Sequence, residues 1–489
     1  MKSWASLMLT VGAAFAAAQP AGFNEIKPVK DTRTALLASG PITYDLTAQQ
    51  LPIRNENGDI EVRMFYVSYE KKGADPTKRP VMFCFNGGPG SATIWLHVGV
   101  LGPKRVPFAD DGNSLQPPFQ SVDNKESWID IADIVAVDAP AAGFSRLASP
   151  SLGSRYFGVR QDIAAFTNFV REWLTEHNRW RSPIFIAGES YGGIRGSGLV
   201  GSLYNAGIPV NGFISISGTS NYQTLRSARG NDLFYTSFIP TMATTAWYHK
   251  KLGPRFRTVE QVRDEVIAFV EGDYLIALNK GDALPMAEQE KVAAKLSEFL
   301  GVSKEYCLAS NLRPSLGAYY RELLKDDRLQ FGRLDSRIVG LVETGVGGGG
   351  PGGGDPSDQA MTPAYVAVAN DYLRRELGID TDMPYLTYGN VRPWEEPEGS
   401  YAETATDLRN ALERNKYLRV LYCMGYYDLA CPYYATIFTV NHMGLTPATR
   451  SQIEYTYYPA GHMMYNERFS RIKMHADVKK FVEDSLAPR

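Results

Sequence analysis

The sequence predicts an α/β fold in which a mostly parallel central sheet is interrupted by a helical insertion. Short apolar runs separated by helix-length segments recur on both sides of the insertion, and this pattern is typical of buried parallel strands. Between residues 221 and 400 these runs are absent and helical periodicity takes their place. The predicted strands lie at 61–69, 81–85, 134–137, 183–187, 213–216, 418–423 and 453–457.

Helical periodicity supports both parts of this prediction. Residues 159–174 carry apolar side chains at helical spacing between two predicted strands, as a crossover helix does. In the insertion, Thr258 and Gln261 have the spacing of a capping box before an apolar stripe. A second helix over 286–300 is predicted to stop at Gly301. The predicted domains are a core at 19–220 and 401–489, with a helical cap at 221–400.

A glycine-rich tract at 345–354 is predicted to be a surface linker within the insertion. It lacks the Gly-Lys-Ser/Thr ending that a phosphate-binding loop requires. Because no nucleotide fingerprint or metal-ligand spacing occurs elsewhere, the sequence predicts no cofactor and no metal. Four cysteines permit three complete pairings, and the sequence does not choose among them.

The first 18 residues have the parts of a secretory signal peptide in the expected order. Lys2 supplies a positive charge, an apolar stretch covers 7–15, and three alanines at 16–18 precede Gln19. A frayed N-terminal helix is the alternative interpretation. We expect an exported protein, periplasmic or extracellular, with no membrane span after removal of the signal.

The charge balance excludes one class of partner. The 489 residues include 51 Lys and Arg and 53 Asp and Glu, which gives a net charge of −2. A near-neutral chain with no basic run argues against binding of nucleic acid. The oligomeric state stays open.

Residues 188–192 read Gly-Glu-Ser-Tyr-Gly and match the Gly-x-Ser-x-Gly pattern of a nucleophile elbow. In such an elbow the serine occupies a strained turn between a strand and a helix. We expect small residues two positions before and after Ser190, because the backbone folds over itself there. An apolar strand precedes Ser190 and a helix-compatible segment begins near Gly193, so a nucleophile is favoured over a surface turn serine.

A nucleophilic serine needs a base, and the chain has six histidines. His462 is the candidate, because it lies in a loop directly after the last predicted strand. Asp428 follows the preceding strand and is placed to orient the imidazole. The order Ser190, Asp428, His462 is that of the α/β-hydrolase fold and differs from the chymotrypsin and subtilisin orders. His97 is interpreted as a structural histidine.

Several motifs together resemble the serine carboxypeptidase family. They run in the family's order from about residue 81 to 465, so the resemblance covers the whole predicted hydrolase core. The matching motifs are Asn-Gly-Gly-Pro-Gly-Ser at 86–91, Asp-Ala-Pro-Ala-Ala-Gly-Phe-Ser at 138–145, Gly-Glu-Ser-Tyr-Gly-Gly at 188–193, Asp-Leu-Ala-Cys-Pro at 428–432 and Gly-His-Met at 461–463.

The resemblance implies a catalytic role for each matching residue. Ser190 would be the nucleophile, and His462 would act as general base and then as general acid. Asp428 would orient the imidazole. The backbone N–H groups of Gly88 and Tyr191 would form the oxyanion hole.

Other matching residues would bind the substrate. Asn86 and Glu189 match two members of a set of hydrogen-bonding residues that, in the family, holds the C-terminal carboxylate of the substrate. We assign Gly87, in the same turn as Asn86, to this set. An ordinary tight turn is the alternative for residues 86–88. Cys431 matches a free thiol near the substrate groove of some relatives, and a packed small hydrophobe is an equally good interpretation.

The sequence departs from the family pattern at two positions, and the second leaves the carboxylate-binding set incomplete. Ser91 stands where the family usually has a disulfide-forming cysteine, and Val100 stands where it has a second carboxylate-binding glutamate. A charged Glu189 would repel a substrate carboxylate, so protonation or a nearby cation is required. The cation candidates by sequence proximity are Lys104, Arg105 and Arg195, with solvated surface charge as the alternative interpretation.

The resemblance implies release of C-terminal residues from peptides through an acyl-enzyme on Ser190. The residues themselves predict acyl transfer and leave the acyl donor open. An esterase or acyltransferase is therefore the first alternative, and a non-catalytic binding protein of the same fold is the second.

Overall fold

The computed structural model describes residues 25–342, 354–396 and 400–488. The predicted signal peptide at 1–18 lies outside the described residues, as does the glycine-rich tract except for Gly354.

A ten-stranded sheet forms the centre of the molecule, in the order β1-β2-β3-β7-β4-β9-β10-β13-β14, with β8 paired to β3. Two further two-stranded sheets pair β5 with β6 and β11 with β12. The strands are β1 (Val29–Leu37), β2 (Gly40–Arg54), β3 (Ile60–Lys71), β4 (Val81–Phe85), β5 (Lys104–Arg105), β6 (Val122–Asp123), β7 (Asp133–Val137), β8 (Arg146–Leu147), β9 (Ile184–Glu189), β10 (Gly212–Ile216), β11 (Leu329–Phe331), β12 (Val339–Leu341), β13 (Arg419–Gly425) and β14 (Ile453–Tyr458).

The pairing from β7 to β14 is parallel throughout, and β1, β2, β3 and β7 pair antiparallel. All seven predicted strands coincide with strands of this sheet to within two residues at each end. The sequence analysis did not predict β1 and β2. Their residues are largely polar in the N-terminal half, and most of β1 is solvent-exposed, so they carry no apolar run.

Helices cover both faces of the sheet. Successive residues of a strand point to opposite faces, so each central strand contributes side chains to two buried apolar clusters. In β4, Phe83 and Phe85 belong to one buried apolar cluster while Met82 and Cys84 belong to the other. The α-helices are α1 (Ile94–Leu96), α2 (Gly153–Tyr156), α3 (Val159–Glu176), α4 (Gly192–Asn205), α5 (Leu233–Tyr248), α6 (Val259–Glu271), α7 (Asp273–Lys280), α8 (Met286–Leu300), α9 (Lys304–Ala309), α10 (Leu316–Glu322), α11 (Pro356–Asp371), α12 (Ala405–Arg414), α13 (Tyr433–Asn441), α14 (Pro447–Arg450) and α15 (Arg468–Leu486).

The predicted helical insertion lies between β10 and β13. Helices α5 to α10 follow one another here, and the short hairpin of β11 and β12 is the strand structure among its described residues. Thr258 accepts a hydrogen bond from the Gln261 N–H at the start of α6, and Gly301 ends α8 in a left-handed conformation. Helix α11 packs differently, in the cluster that also contains Trp95 and α15 side chains. The second part of this segment thus lies against the core sheet.

All four cysteines are buried free thiols. No helix in the described ranges is long and apolar enough to cross a lipid bilayer.

Candidate active site

Ser190 occupies the tight turn between the central strand β9 and helix α4. Its φ of +62° lies in the left-handed region, which a non-glycine residue adopts at an energetic cost. Its N–H donates to the Ile216 carbonyl at 3.0 Å, which ties the turn to β10. A Cβ on Gly188 would lie 2.4 Å from the Gly192 carbonyl oxygen, so glycine is required there, whereas a Cβ on Gly192 would make ordinary contacts at 3.4 Å. The expectation of an obligatory small residue at 192 is therefore not met by the packing.

Asp428 and His462 lie in the loops after β13 and β14, as predicted from their sequence positions. The His462 Nδ1 and the Asp428 Oδ2 are 2.8 Å apart, and Asp428 is completely buried. The other carboxylate oxygen, Oδ1, accepts the N–H groups of Ala430 and Cys431 at 2.8 and 2.9 Å. These bonds fix the carboxylate so that it holds Nδ1 and leaves Nε2 for chemistry.

Electrostatics raise the pKa of His462 above its ordinary value. Burial alone lowers this pKa, but the charge of Asp428 and its hydrogen bond raise it by more, and the charge of Glu189 adds to the rise. An imidazole stabilised in its protonated form is suited to accept a proton from a serine hydroxyl.

The His462 loop is also fastened to the insertion. The His462 N–H donates to the Leu334 carbonyl at 2.6 Å, and the Gly461 N–H donates to Asp335 at 3.2 Å. The segment that joins β11 to β12 therefore contributes to the position of the imidazole. His97, in contrast, is buried against the Tyr69 hydroxyl at 2.6 Å, away from Ser190, which agrees with a structural role.

The backbone N–H groups of Gly88 and Tyr191 have no hydrogen-bond acceptor among the described residues. Gly87 lets the two segments that carry them approach each other, because a Cβ at this position would lie 2.3 Å from the Tyr191 nitrogen. Two free donors beside a nucleophile can stabilise an oxyanion.

Glu189 is buried beside the serine and keeps a proton more readily than an ordinary glutamate. Burial raises its pKa to about 7, against the opposing charge of His462 and hydrogen bonds to the carboxyl. Asn86 donates its side-chain amide to Oε1 at 2.7 Å, and the Tyr465 hydroxyl donates to Oε2 at 2.7 Å. Below about pH 7 this carboxyl is neutral and no longer repels an anion.

Val100 is completely buried in an apolar cluster and offers no polar group. Beside it, the ring of Tyr465 covers Gly99 so closely that a Cβ there would lie 2.4 Å from a ring carbon. The Tyr465 hydroxyl is a second side-chain donor to Glu189, besides the Asn86 amide. The sequence analysis missed Tyr465, which lies 276 residues from its partner and belongs to none of the quoted motifs.

The structure places the three candidate cations outside the site. Lys104 pairs with Asp123 at 2.8 Å, and Arg105 donates to the Val106 carbonyl. Arg195 is buried, pairs with Asp162 at 2.7 Å and donates to the Asn86 carbonyl at 2.5 Å. Arg195 therefore stabilises the turn of Asn86 through that hydrogen bond and is not a solvated surface charge.

A cavity of about 450 Å³ opens over these groups. Cys431 lines it with its side chain largely buried, and burial raises the pKa of its thiol well above the ordinary value despite a hydrogen bond with Ser190. Both interpretations of Cys431 therefore hold, since it is packed and borders the cleft. The cavity lining includes Asn86, Gly87, Gly88, Glu189, Ser190, Cys431, His462, Trp95, Tyr388, Arg226, Arg333 and Asp358.

Arg333 lines this cavity, and the sequence did not reveal it. It comes from the insertion, where no motif marks it. Within the described parts of the chain, no group of three or more His, Cys, Asp or Glu side chains is arranged to hold a metal ion.

The sheet is mostly parallel, a strained serine follows a central strand, and an Asp–His pair follows the last two strands. These features define the α/β-hydrolase fold, with the arrangement that serine hydrolases use. The family model for serine carboxypeptidases matches residues 51–243. This part of the chain is therefore similar to the serine carboxypeptidases.

Individual serine carboxypeptidases are similar to parts of this chain. Serine carboxypeptidase-like 33 of Arabidopsis thaliana is 31% identical over 34% of each chain, and carboxypeptidase Y of Saccharomyces cerevisiae is 29% identical over 28% of this chain and 24% of its own. The matched part thus spans about a quarter to a third of these relatives. A prohormone-processing carboxypeptidase from Saccharomyces cerevisiae shares the fold with a TM-score of 0.53 and 15% identity, covering 90% of this chain and 92% of that chain.

Proposed function

We propose that the protein is a serine carboxypeptidase that removes C-terminal residues from peptides. The observation that carries the proposal is the buried Asp428–His462 pair at 2.8 Å, with His462 and Ser190 lining one cavity. The names of the curated relatives and of the structural neighbour support the same activity.

The reaction follows from the groups around Ser190. Its Oγ attacks the carbonyl carbon of the last peptide bond while His462 Nε2 takes the hydroxyl proton, and the N–H groups of Gly88 and Tyr191 receive the oxyanion. The C–N bond breaks as His462 returns the proton to the leaving amine. Water then attacks the acyl-enzyme, gives its proton to His462, and Ser190 regains that proton as the acid leaves.

Neutral Glu189 and Asn86 are the groups that would receive the substrate's terminal carboxylate. A protonated carboxyl and an amide can donate hydrogen bonds to an anion, whereas an ionised Glu189 would repel it. This binding is expected to weaken as the pH rises through about 7.

An esterase or acyltransferase is the second candidate, and Val100 is the observation that favours it. A site without the second glutamate has fewer groups dedicated to a free carboxylate. The residues that attack an acyl carbon are identical in both cases.

We further propose that the protein acts after export, to the periplasm or outside the cell, on a peptide substrate. The order of charged, apolar and small residues at 1–18 supports export.

A substrate panel tests the proposed function. Purified protein is assayed with N-blocked dipeptides that have a free or amidated C-terminus and with short acyl esters, alongside Ser190→Ala. A carboxypeptidase releases the C-terminal amino acid from the free-acid dipeptides, and the variant does not. Hydrolysis of the esters alone would assign the protein to the second candidate. If Ser190 does not react with a fluorophosphonate probe, both candidate functions are wrong.

A further inference from the structure

Among the residues that the structure describes, the cavity over Ser190 has one arginine whose guanidinium has no carboxylate closer than 4.0 Å. Of the two arginines in its lining, Arg226 donates to Glu396 at 2.9 Å. The guanidinium of Arg333 donates no hydrogen bond within the described ranges, and its nearest carboxylate is Asp355 at 4.0 Å. The side chain is half exposed, at 50% of its full accessible surface.

Asp355 is occupied by other donors and does not neutralise Arg333 by direct contact. Its Oδ1 accepts the N–H groups of Arg333 and Ser357 at 2.9 and 3.0 Å, and its Oδ2 accepts the Leu334 N–H at 3.2 Å. The same carboxylate caps helix α11. Its geometry is therefore set by the backbone, and it holds the loop of Arg333 in place.

The main chain of Arg333 is fixed on both sides. Its N–H donates to Asp355, and its carbonyl accepts the Leu429 N–H at 3.0 Å, one residue beyond Asp428. The next residue, Leu334, accepts the His462 N–H. The insertion thus delivers Arg333 on a loop that is bonded directly to the loops of the Asp–His pair, and the charge of Arg333 acts on His462.

The charged groups that line the cavity include both arginines and carboxyl groups. Asp358 also lines it and accepts a hydrogen bond from Thr362 at 2.9 Å. Glu189, next to Ser190 in sequence, also lines the cavity. A planar guanidinium with free N–H groups is matched to a carboxylate, which it can bind with two parallel hydrogen bonds.

We propose that Arg333 is a specificity-determining residue that binds a carboxylate of the substrate in the cleft over Ser190. This proposal rests on the proposed function. The carboxylate is either the C-terminal group of the substrate or an acidic side chain near the cleaved bond. In the first case the positive charge of Arg333 would bind the C-terminus in a site that has no second glutamate.

Binding measurements in an inactive background test the proposal independently of turnover. Four N-blocked dipeptides combine a Glu or Gln side chain with a free or amidated C-terminus, and their Kd values are measured by calorimetry on Ser190→Ala. The same set is measured after addition of Arg333→Ala or Arg333→Lys. Arg229→Ala is the matched control, because Arg229 is an exposed arginine of the insertion that does not line the cavity. Circular dichroism verifies that each variant is folded.

We expect Arg333→Ala to weaken binding of the carboxylate-bearing peptides about tenfold relative to their neutral partners, the effect of an interaction of about 1.4 kcal/mol. Arg333→Lys should restore part of the loss and Arg229→Ala should cause none. A loss in the free-acid to amide ratio identifies the terminal carboxylate, and a loss in the Glu to Gln ratio identifies the side chain. Both ratios within twofold of the parent would overturn the proposal, even if the enzyme proves to be a carboxypeptidase. Conversely, a changed ratio in a protein that hydrolyses no peptide would refute only the proposed function.

Discussion

Replacing Glu189 with glutamine removes the buried carboxyl next to Ser190 while keeping its size, and it turns one of the two acceptor oxygens into an NH2 donor. Burial raises the pKa of Glu189 from 4.5 to about 7, so the folded protein holds a proton that the unfolded chain has already lost between those two pH values. Stability therefore falls as the pH rises through this window. At about 1.4 kcal/mol for each pH unit, the full difference is on the order of 3 kcal/mol.

Urea unfolding at pH 5 and at pH 8 measures this quantity. We expect the wild-type protein to lose about 3 kcal/mol more of its unfolding free energy between these pH values than Glu189→Gln does. His462 and the other ionisable groups are present in both proteins, so the comparison largely isolates Glu189. Equal pH dependence in the two proteins would show that Glu189 is ionised throughout and would refute the reasoning.

Activity provides a second measurement on the same variant. For a free-acid dipeptide, kcat/KM should fall about tenfold between pH 6 and pH 8 in the wild-type protein, as the neutral fraction of Glu189 falls. The amidated dipeptide should not show this decline, and Glu189→Gln should lessen it. A decline of equal size for both substrates would mean that another group causes it.

Three further predictions follow from single contacts. Asp428→Asn should lower kcat on the order of 10⁴-fold with the fold intact, because the amide stabilises the wrong imidazole tautomer. Stopped-flow and steady-state assays measure kcat, and a loss below about tenfold would mean that another acid orients His462. Gly87→Ala should lower kcat by about 10²-fold or more, because the new Cβ would lie 2.3 Å from the Tyr191 nitrogen and displace an oxyanion donor. An unchanged kcat would mean that the Tyr191 N–H does not bind the oxyanion. Arg195→Leu should cost about 3–5 kcal/mol in urea unfolding by leaving Asp162 buried without its partner, and the double variant Arg195→Leu/Asp162→Leu should regain part of that loss.

The strand–turn–helix order and the chemistry of the candidate site could be predicted from the sequence, because each depends on a short local pattern. An apolar run followed by Gly-x-Ser-x-Gly predicts a strand, a strained turn and a helix, and Ser190 has the positive φ that this requires. Asp428 and His462 follow directly from their positions after successive parallel strands, since the carboxyl ends of such strands meet at one edge. The strand β1 escaped prediction because its exposed, polar residues carry no apolar run. The strand β2 is largely buried, but polar residues such as Thr47, Gln49 and Gln50 interrupt its apolar pattern.

Tertiary structure alone decided which charges matter in the cleft. Ionisation of a carboxyl depends on its burial and on the groups around it. Burial raises the pKa of Glu189 to about 7, against the hydrogen bonds from Asn86 and from a tyrosine 276 residues away. The same holds for the cations. Arg195 is three residues from the elbow's end in sequence, yet it is buried against Asp162. Arg333, from the distant insertion, lines the cavity because its loop is hydrogen-bonded to those of Asp428 and His462. Sequence proximity does not determine these distances, since long-range packing brings the segments together only in the folded chain.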